Sequence, residues 1–489
     1  MDLAATALVL ARYREIADQL VERIDKALLR PGDRVPSIRE VTRRNNVSPG
    51  TVIRAYRDLE ARGLIESRPR SGYFVRRVYS RQLPEPAPFT THFRSKAVDV
   101  FDFVFEVFES IKRSAAVVQF GSPFLTPELL AIEQLNRAGA AAARGLKPAA
   151  ILEDLSPGSS ELRRLIALRY LGTGCVVPPD EIVVTCGALE AISLCLRAVS
   201  RRGDTVAIET PSFYAILQSL EWMGLRAAEI ATDPRLGIDL DVLENVLKTG
   251  TISACIVMPS FQNPVGSCMP EERRRALARL AERYQTPVIE DDAYAELYFG
   301  EHRPRPVKSF DRSGWVLHCG SFSKCLAPGY RIGWAAAGRF TRDVWQRKVV
   351  SSFNTAPVCQ DTLTRFLRQG GFEQHLRRLR RALAVRCQEM MRAVSAEFPA
   401  ACRMSRPTGG YMLWVELPES FDAMELHRLG LLAGVSIVPG PVFSAERRYQ
   451  NCLRLNFGYP SIAQIRNGVR TLARLLRAPS VRSGARRTS

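Results

Sequence analysis

Apolar residues at Ile16, Leu20, Ile24 and Ala27, three and four apart, lay down one face of an amphipathic helix from Tyr13 to about Leu29. PGDRVPS then breaks that period with two prolines and a glycine. Beyond it, IREVTRRNNVSPGTVIRAYRDLEARGLI restores helical spacing twice, with a turn at Asn45 to Ser48 between the two stretches. Ser48 is placed to cap the second stretch, whose inward face is Val52, Ala55, Tyr56 and Leu59. Leu64 to Ile65 and Tyr73 to Val75, on either side of turn residues at Pro69 to Gly72, predict a small β-hairpin. Three helices and a hairpin make a winged helix-turn-helix over residues 1–77. LAATALVLA near the start follows Asp2 with no basic segment before it, which predicts a buried helix start and not an export signal.

The pattern then changes. Residues 78–97, with PEPAP among them, predict a linker, and VDVFDFVFEVFESIKR after it is a helix whose aromatics call for packing against the next domain. From there EIVVT, TVAIET, SACIVMPS, PVIEDD, WVLHCGS and RIGWAA alternate with helical stretches. Apolar runs of that length, separated by helices, predict a doubly wound α/β lobe with strands buried on both faces. HLRRLRRALAVRCQEMMRAV is helical, and YMLWVEL and CLRLNF belong to a smaller α+β lobe that completes a domain over 98–476. Residues 477–489 carry no core-forming pattern and are expected to be a disordered basic tail. No internal repeat is evident.

Composition narrows the class. A chain of 489 residues exceeds what one hydrophobic core organises, and no apolar run approaches the roughly 20 residues of a membrane span, so a multidomain cytoplasmic protein is expected. Eleven cysteines without a CxxC pair and five histidines without HxxxH spacing argue against a metal site. The net charge of +19 is concentrated in part at the ends: residues 1–77 hold 16 Lys+Arg against 10 Asp+Glu, and 472–489 hold five arginines and no acid. Such charge favours a polyanionic partner without specifying it.

In a helix-turn-helix the second helix enters the major groove by its N-terminal residues, which here would present Ser48, Gly50, Thr51 and Arg54, with Arg39 on the preceding helix reaching a phosphate or a guanine. PGDRxPSxRE, VSxxTVxRAYxxLxxxGLI and SGYFV together resemble the GntR-type winged-helix domain over nearly all its length. The chain departs from that family at Pro49, where many members carry an arginine; proline suits a first helical turn but makes no bidentate guanine contact.

Lys324, in GSFSKCLAPGYRIGW, has three possible roles: solvated, paired, or condensed with a carbonyl. Four other stretches supply what a pyridoxal phosphate site requires. The ring nitrogen needs a carboxylate, and VIEDDAY offers Asp291 at a strand end, with Glu290 and Asp292 as alternatives that spacing does not separate. Asn263 of FQNPVG and Tyr294 are donors for the phenolate oxygen, and Phe213 of PSFY is an aromatic to stack on the ring. Gly187 and Ala188 open a helix whose N–H groups suit a phosphate, with Ser321, Ser323 and Arg331 beside it.

These stretches, with PTGGYMLW and CLRLNF, resemble fold-type I aminotransferases from about residue 100 to 475. The resemblance implies that Lys324 is the aldimine lysine and Arg454 the group that holds a substrate or effector carboxylate. A GntR-type winged helix joined to such a domain is similar to the MocR subfamily of bacterial transcription regulators. That family implies a head-to-tail homodimer on a double-stranded DNA operator, sensing an amine or amino-acid effector, or the cofactor itself, through exchange at Lys324. A working aminotransferase with a fused DNA-binding head is the alternative. Two departures stand out: Glu153, Asp154 and Leu155 lie where members often carry a tyrosine, and EDDAYAE replaces the common EDDYDSE.

Overall fold

The computed structural model describes residues 3–478 and Val481, apart from 26–27, 31, 62–63, 69–70, 76–81, 92–93, 115–116 and 146–156, and leaves out the side chains of 3–11, 14, 25, 61 and 68. The chain divides into two compact units, one of residues 1–82 with 384–396 and the other of 83–383 with 397–489.

The smaller unit holds helices α1 (Leu3–Asp25), α2 (Ile38–Asn45) and α3 (Pro49–Ala61) and strands β1 (Ile65–Arg68) and β2 (Gly72–Val75). α1 starts well before Tyr13 and ends before Leu29, whose N–H turns back to the carbonyl of Arg23. α2 is capped by Ser37, which accepts from the Glu40 N–H, and stops where Asn46 takes the left-handed conformation that asparagine tolerates. α3 begins as expected: Ser48 Oγ accepts from the Thr51 N–H at 3.2 Å, and Pro49 occupies the first turn, where no N–H is needed. Val52, Ala55, Tyr56 and Leu59 are wholly buried against Ile16, Leu20, Val41, Ile65 and Val75, the last two facing each other across the antiparallel hairpin. Each buried aliphatic of this kind contributes about 1.5–3 kcal/mol.

In the larger unit all six expected runs are strands of one sheet. Its order is Ser95–Ala97, Arg226–Asp233, Thr205–Thr210, Ile252–Val257, Val288–Asp291, Val316–Ser321, Gly333–Ala336, Ile182–Thr185, with Gly237–Ile238 paired to Arg226–Asp233. The strands from Arg226–Asp233 to Val316–Ser321 are mutually parallel, and Gly333–Ala336 runs against both its neighbours. A core of Ile230, Leu243, Leu277, Val288 and Val316 joins this sheet to helices Leu240–Leu247 and Glu271–Tyr284. Met412–Glu416 and Cys452–Asn456 pair in a separate four-stranded antiparallel sheet, the smaller lobe.

Four expectations change. Residues 95–97, read as linker, form an edge strand, and Phe89 upstream packs edge-on against Trp414 and Tyr449, so the proline-bearing segment from Leu83 is part of the larger unit. The helix Phe101–Arg113 buries Val104 and Val107 but leaves Phe101 and Phe105 exposed. Arg226–Asp233 is a strand without a strong β pattern; its Glu229 is buried because the Ala445 N–H and Ser444 Oγ bond its carboxylate. Val481, assigned to a disordered tail, is buried and its carbonyl accepts the Asp422 N–H; residues 482–489 lie outside the described residues.

Leu59→Ala removes a fully buried side chain and is expected to cost about 2–5 kcal/mol. Hydrogen exchange should show the amides of α3 losing protection while those of Ile252–Val257 keep theirs.

Candidate functional site

The carboxyl ends of the sheet strands converge on one cleft, where a doubly wound sheet places ligands. Asp291 ends its strand, buried, with Oδ1 accepting from the Ala293 N–H at 3.1 Å. Burial, together with the adjacent Asp292, pushes its carboxyl up to about 6. The structure separates the three consecutive acids that spacing could not. Glu290 is bonded by the Val307 and Lys308 N–H groups at 2.8 and 3.0 Å. Asp292 pairs with Arg303 at 2.9 Å and with His318 Nε2 at 3.1 Å. Glu290, Asp292 and His318 place ligating atoms within 4.8 Å of one another, yet protein donors already engage them. Asp291 is left facing the cleft side of the sheet.

The Lys324 amine donates to the carbonyl of Pro123 at 3.1 Å and lies 5.7 Å from the centre of the Tyr294 ring. Burial first and the Arg454 charge second lower its pKa to about 8, against the opposing pull of Asp291. A neutral amine near neutral pH is a nucleophile. Arg454 is fully buried in the strand Cys452–Asn456, donates to the carbonyl of Gly121 at 2.9 Å and to Asn263 Oδ1 at 3.4 Å, and leaves Nε without a partner. Among the described residues no carboxylate lies within ion-pair distance of either cation. Tyr294 Oη is also buried without a partner. Orphaned donors cost about 1–3 kcal/mol each, more when charged, so a set of them in one cleft calls for a ligand.

At the other end of the cleft, Gly187 takes φ +88° as the residue before helix Ala188–Val199. A Cβ there would sit 2.6 Å from Arg331 Nη2. Arg331 crosses over it to the Cys186 carbonyl at 2.9 Å and Ser323 Oγ at 3.3 Å, and Ser321 Oγ accepts the Ser323 N–H at 3.0 Å. The free N–H groups at Ala188, the guanidinium and two hydroxyls are thus gathered as a phosphate requires. Phe213 is half-buried just before helix Tyr214–Trp222, its ring edge-on to Tyr214. The structure brings Gly187, Ser321, Ser323 and Arg331 together, and Lys324 with Tyr294, Asn263 and Arg454. Glu153 to Leu155 lie outside the described residues.

Three features escaped the sequence reading. The carbonyls of Gly121, Ser122 and Pro123 hold both cations, and Asn456 fixes this segment by bonding the Ser122 and Phe124 carbonyls at 2.7 Å. Tyr411 donates to the Pro123 carbonyl at 3.0 Å. Glu209, next to last in the strand Thr205–Thr210, has Oε1 unpartnered and a carboxyl that burial raises to about 7. Backbone carbonyls leave no mark in a sequence, but an acid near the end of an apolar strand does.

In the smaller unit Arg39, Ser48, Gly50 and Arg54 are exposed, with the Arg54 guanidinium 4.7 Å from the centre of the Tyr13 ring. Thr51 differs from expectation: it is buried, and its hydroxyl lies 2.9 Å from the capping Ser48 Oγ, so it braces the cap and is not exposed for base contact.

Two family matches agree with this architecture: "Bacterial regulatory proteins, gntR family" over residues 12–75 and "Aminotransferase class I and II" over 152–472. The first defines the small unit as a regulator's helix-turn-helix and the second defines the large one as an aminotransferase fold. The chain belongs to the MocR-type regulators, in which the two are joined. It is 40% identical to the HTH-type transcriptional regulator YdcR of Escherichia coli (strain K12), across 95% of this chain and 99% of that protein. It is 33% identical to the 2-aminoadipate transaminase of Thermus thermophilus, across 74% of this chain and 90% of the other. The structure of LysN, α-aminoadipate aminotransferase from the same organism, complexed with N-(5'-phosphopyridoxyl)-L-leucine, superposes with a TM-score of 0.70 at 32% identity, over 76% of this chain and 94% of that one. No described helix is long and apolar enough to cross a membrane.

Two titrations follow from the geometry. In the cofactor-free protein, acylation of Lys324 by acetic anhydride should rise with pH through a midpoint near 8, as the amine loses its proton, whereas exposed lysines react about two units higher. Glu209 has its folded pKa raised, so its neutral form stabilises the protein below the unfolded value of about 4.3, and that contribution is lost as pH rises through about 7. Glu209→Gln should leave the melting temperature unchanged near pH 4.5 and raise stability at pH 8 by up to about 3 kcal/mol.

Proposed function

We propose that the protein is a DNA-binding transcription regulator that holds pyridoxal 5'-phosphate in the larger unit and responds there to an amino acid or related amine. Asp291 would hold the ring nitrogen, Asn263 and Tyr294 the phenolate oxygen, Phe213 the ring face, and Ala188, Ser321, Ser323 and Arg331 the phosphate. When bound, the cofactor supplies an aldehyde carbon that amines attack and a ring that draws electrons from it. Arg454 carries this reading: a buried guanidinium without a carboxylate, beside a lysine of lowered pKa, supports recognition of a molecule bearing both an amine and a carboxylate. Arg454 would take an effector's carboxylate, which sets the effector's amine beside Lys324, and the Lys324 amine, when free, would carry or release a proton near pH 8.

The response reaches DNA through the geometry of a homodimer. Half-sites are read about 34 Å apart or at multiples of that distance, so a modest change in the spacing of two copies of α3 alters affinity. Head-to-tail pairing is the arrangement the MocR family implies. Retention of Asp291, Lys324 and Arg454 together favours a second reading, an active aminotransferase with a DNA-binding head, since these are the groups that half-transamination needs.

A spectral titration of the cofactor-loaded protein with amino acids, followed by DNA-binding assays, tests both. The regulator reading expects a band shift, altered DNA affinity and negligible turnover with an oxo acid. Sustained turnover without any change in DNA binding would favour the enzyme. Lys324→Ala should abolish the lysine-linked absorption band; an unchanged spectrum would overturn the role of Lys324.

A further inference from the structure

A second cavity, of about 440 Å³, opens on the larger unit and shares no lining residue with the cleft described above. Its size falls within the range of small-molecule sites. Leu165, Leu168 and Phe372 form an apolar wall, and Leu168 remains half exposed. Opposite them, the guanidinium groups of Arg169, Arg303 and Arg380 converge on the single carboxylate of Glu296, at 2.6, 3.1 and 3.2 Å. Two are held rigidly: Arg169 lies over the Phe372 ring at 4.4 Å and Arg380 over Tyr298 at 3.8 Å. Arg169 reaches a second carboxylate at 2.8 Å, that of Glu373, which is half exposed and thus a weak, screened partner. Arg303 keeps a buried Nε without a partner. Three pre-organised guanidiniums share Glu296, two of them are also paired with Glu373 and Asp292, and with the apolar wall opposite and the Arg303 Nε donor to spare they make an amphiphilic cradle.

We propose that this cavity binds a small organic carboxylate with an apolar tail. The ligand's carboxylate takes the place of Glu373 on Arg169, and its tail lies against Leu165, Leu168 and Phe372. The site is separate from Arg454 and stands or falls independently of the effector reading. Arg303 also pairs with Asp292, the neighbour of Asp291, so an occupant here is one ion pair from the strand end that faces the cofactor cleft.

Calorimetric titration of the full-length protein with hexanoate tests the proposal, using Arg454→Met as the parent so that the first cleft does not bind the probe. One molecule per chain is expected, with a dissociation constant of about 1 mM or tighter. Leu168→Trp fills the cavity mouth from a half-exposed position that the fold does not depend on, and should weaken binding at least about tenfold, as should Arg169→Gln. Hexylamine, with the same tail and the opposite charge, should bind at least about tenfold more weakly than hexanoate. Equal affinity in Leu168→Trp, equal affinity for hexylamine, or no heat from hexanoate in the parent would each overturn the assignment.

Discussion

Two buried cations set the terms for the larger unit. An isolated charge in a protein interior costs several kcal/mol, and among the described residues neither the Lys324 amine nor the Arg454 guanidinium has a carboxylate within ion-pair distance to offset that cost, Asp291 acting on Lys324 from further away. Backbone carbonyls of Gly121 to Pro123 do part of the work, and Asn456 and Tyr411 hold those carbonyls in place. The rest of the charge compensation is left to whatever enters the cleft. The site is in that sense electrostatically unfinished.

Behind the sheet the opposite principle holds. Trp334 Nε1 donates to the Tyr170 hydroxyl at 2.8 Å, so that hydroxyl is free to donate to His318 Nδ1 at 2.7 Å, leaving the Nε2 proton of His318 for Asp292. Asp292 passes the chain on to Arg303, and Arg303 to Glu296. Burial raises the carboxyl of Asp292, but His318 and Arg303 outweigh it and hold it below the usual range. This network pairs the charges behind the strand that bears Asp291, with Asp292 Oδ1 and Arg303 Nε its two atoms left without a partner, while the two cations on the ligand side have no carboxylate within ion-pair distance among the described residues.

Much of this was legible in the sequence because strands buried on both faces announce themselves as apolar runs, and all six such runs are strands. The residues proposed for the cofactor were read from their positions at strand ends. Arg226–Asp233 was not legible because alanines and a buried glutamate replace the β-branched residues that mark a strand, and Glu229 is acceptable inside only through partners more than 200 residues away. Thr51 was misread for a related reason. Its place in the first turn of α3 fits base contact and bracing of the cap equally well, and only the rotation that brings its hydroxyl to Ser48 decides between them. The cavity around Glu296 draws on three separate stretches of chain, so no local pattern foreshadows it.

The run Glu290, Asp291, Asp292 carries a wider consequence. Three residues of nearly the same chemistry sit in consecutive places, and the alternation of the pleat sends the first and third to one face and the second to the other. One becomes an anchor for backbone N–H groups, one is the residue proposed to meet the cofactor, and one is a link in an ion-pair chain. Their meaning is positional, like digits in a number: a one-residue slip of this strand would keep the composition and scramble every role. Parity along the strand, more than the identity of the acid, decides what each of the three does.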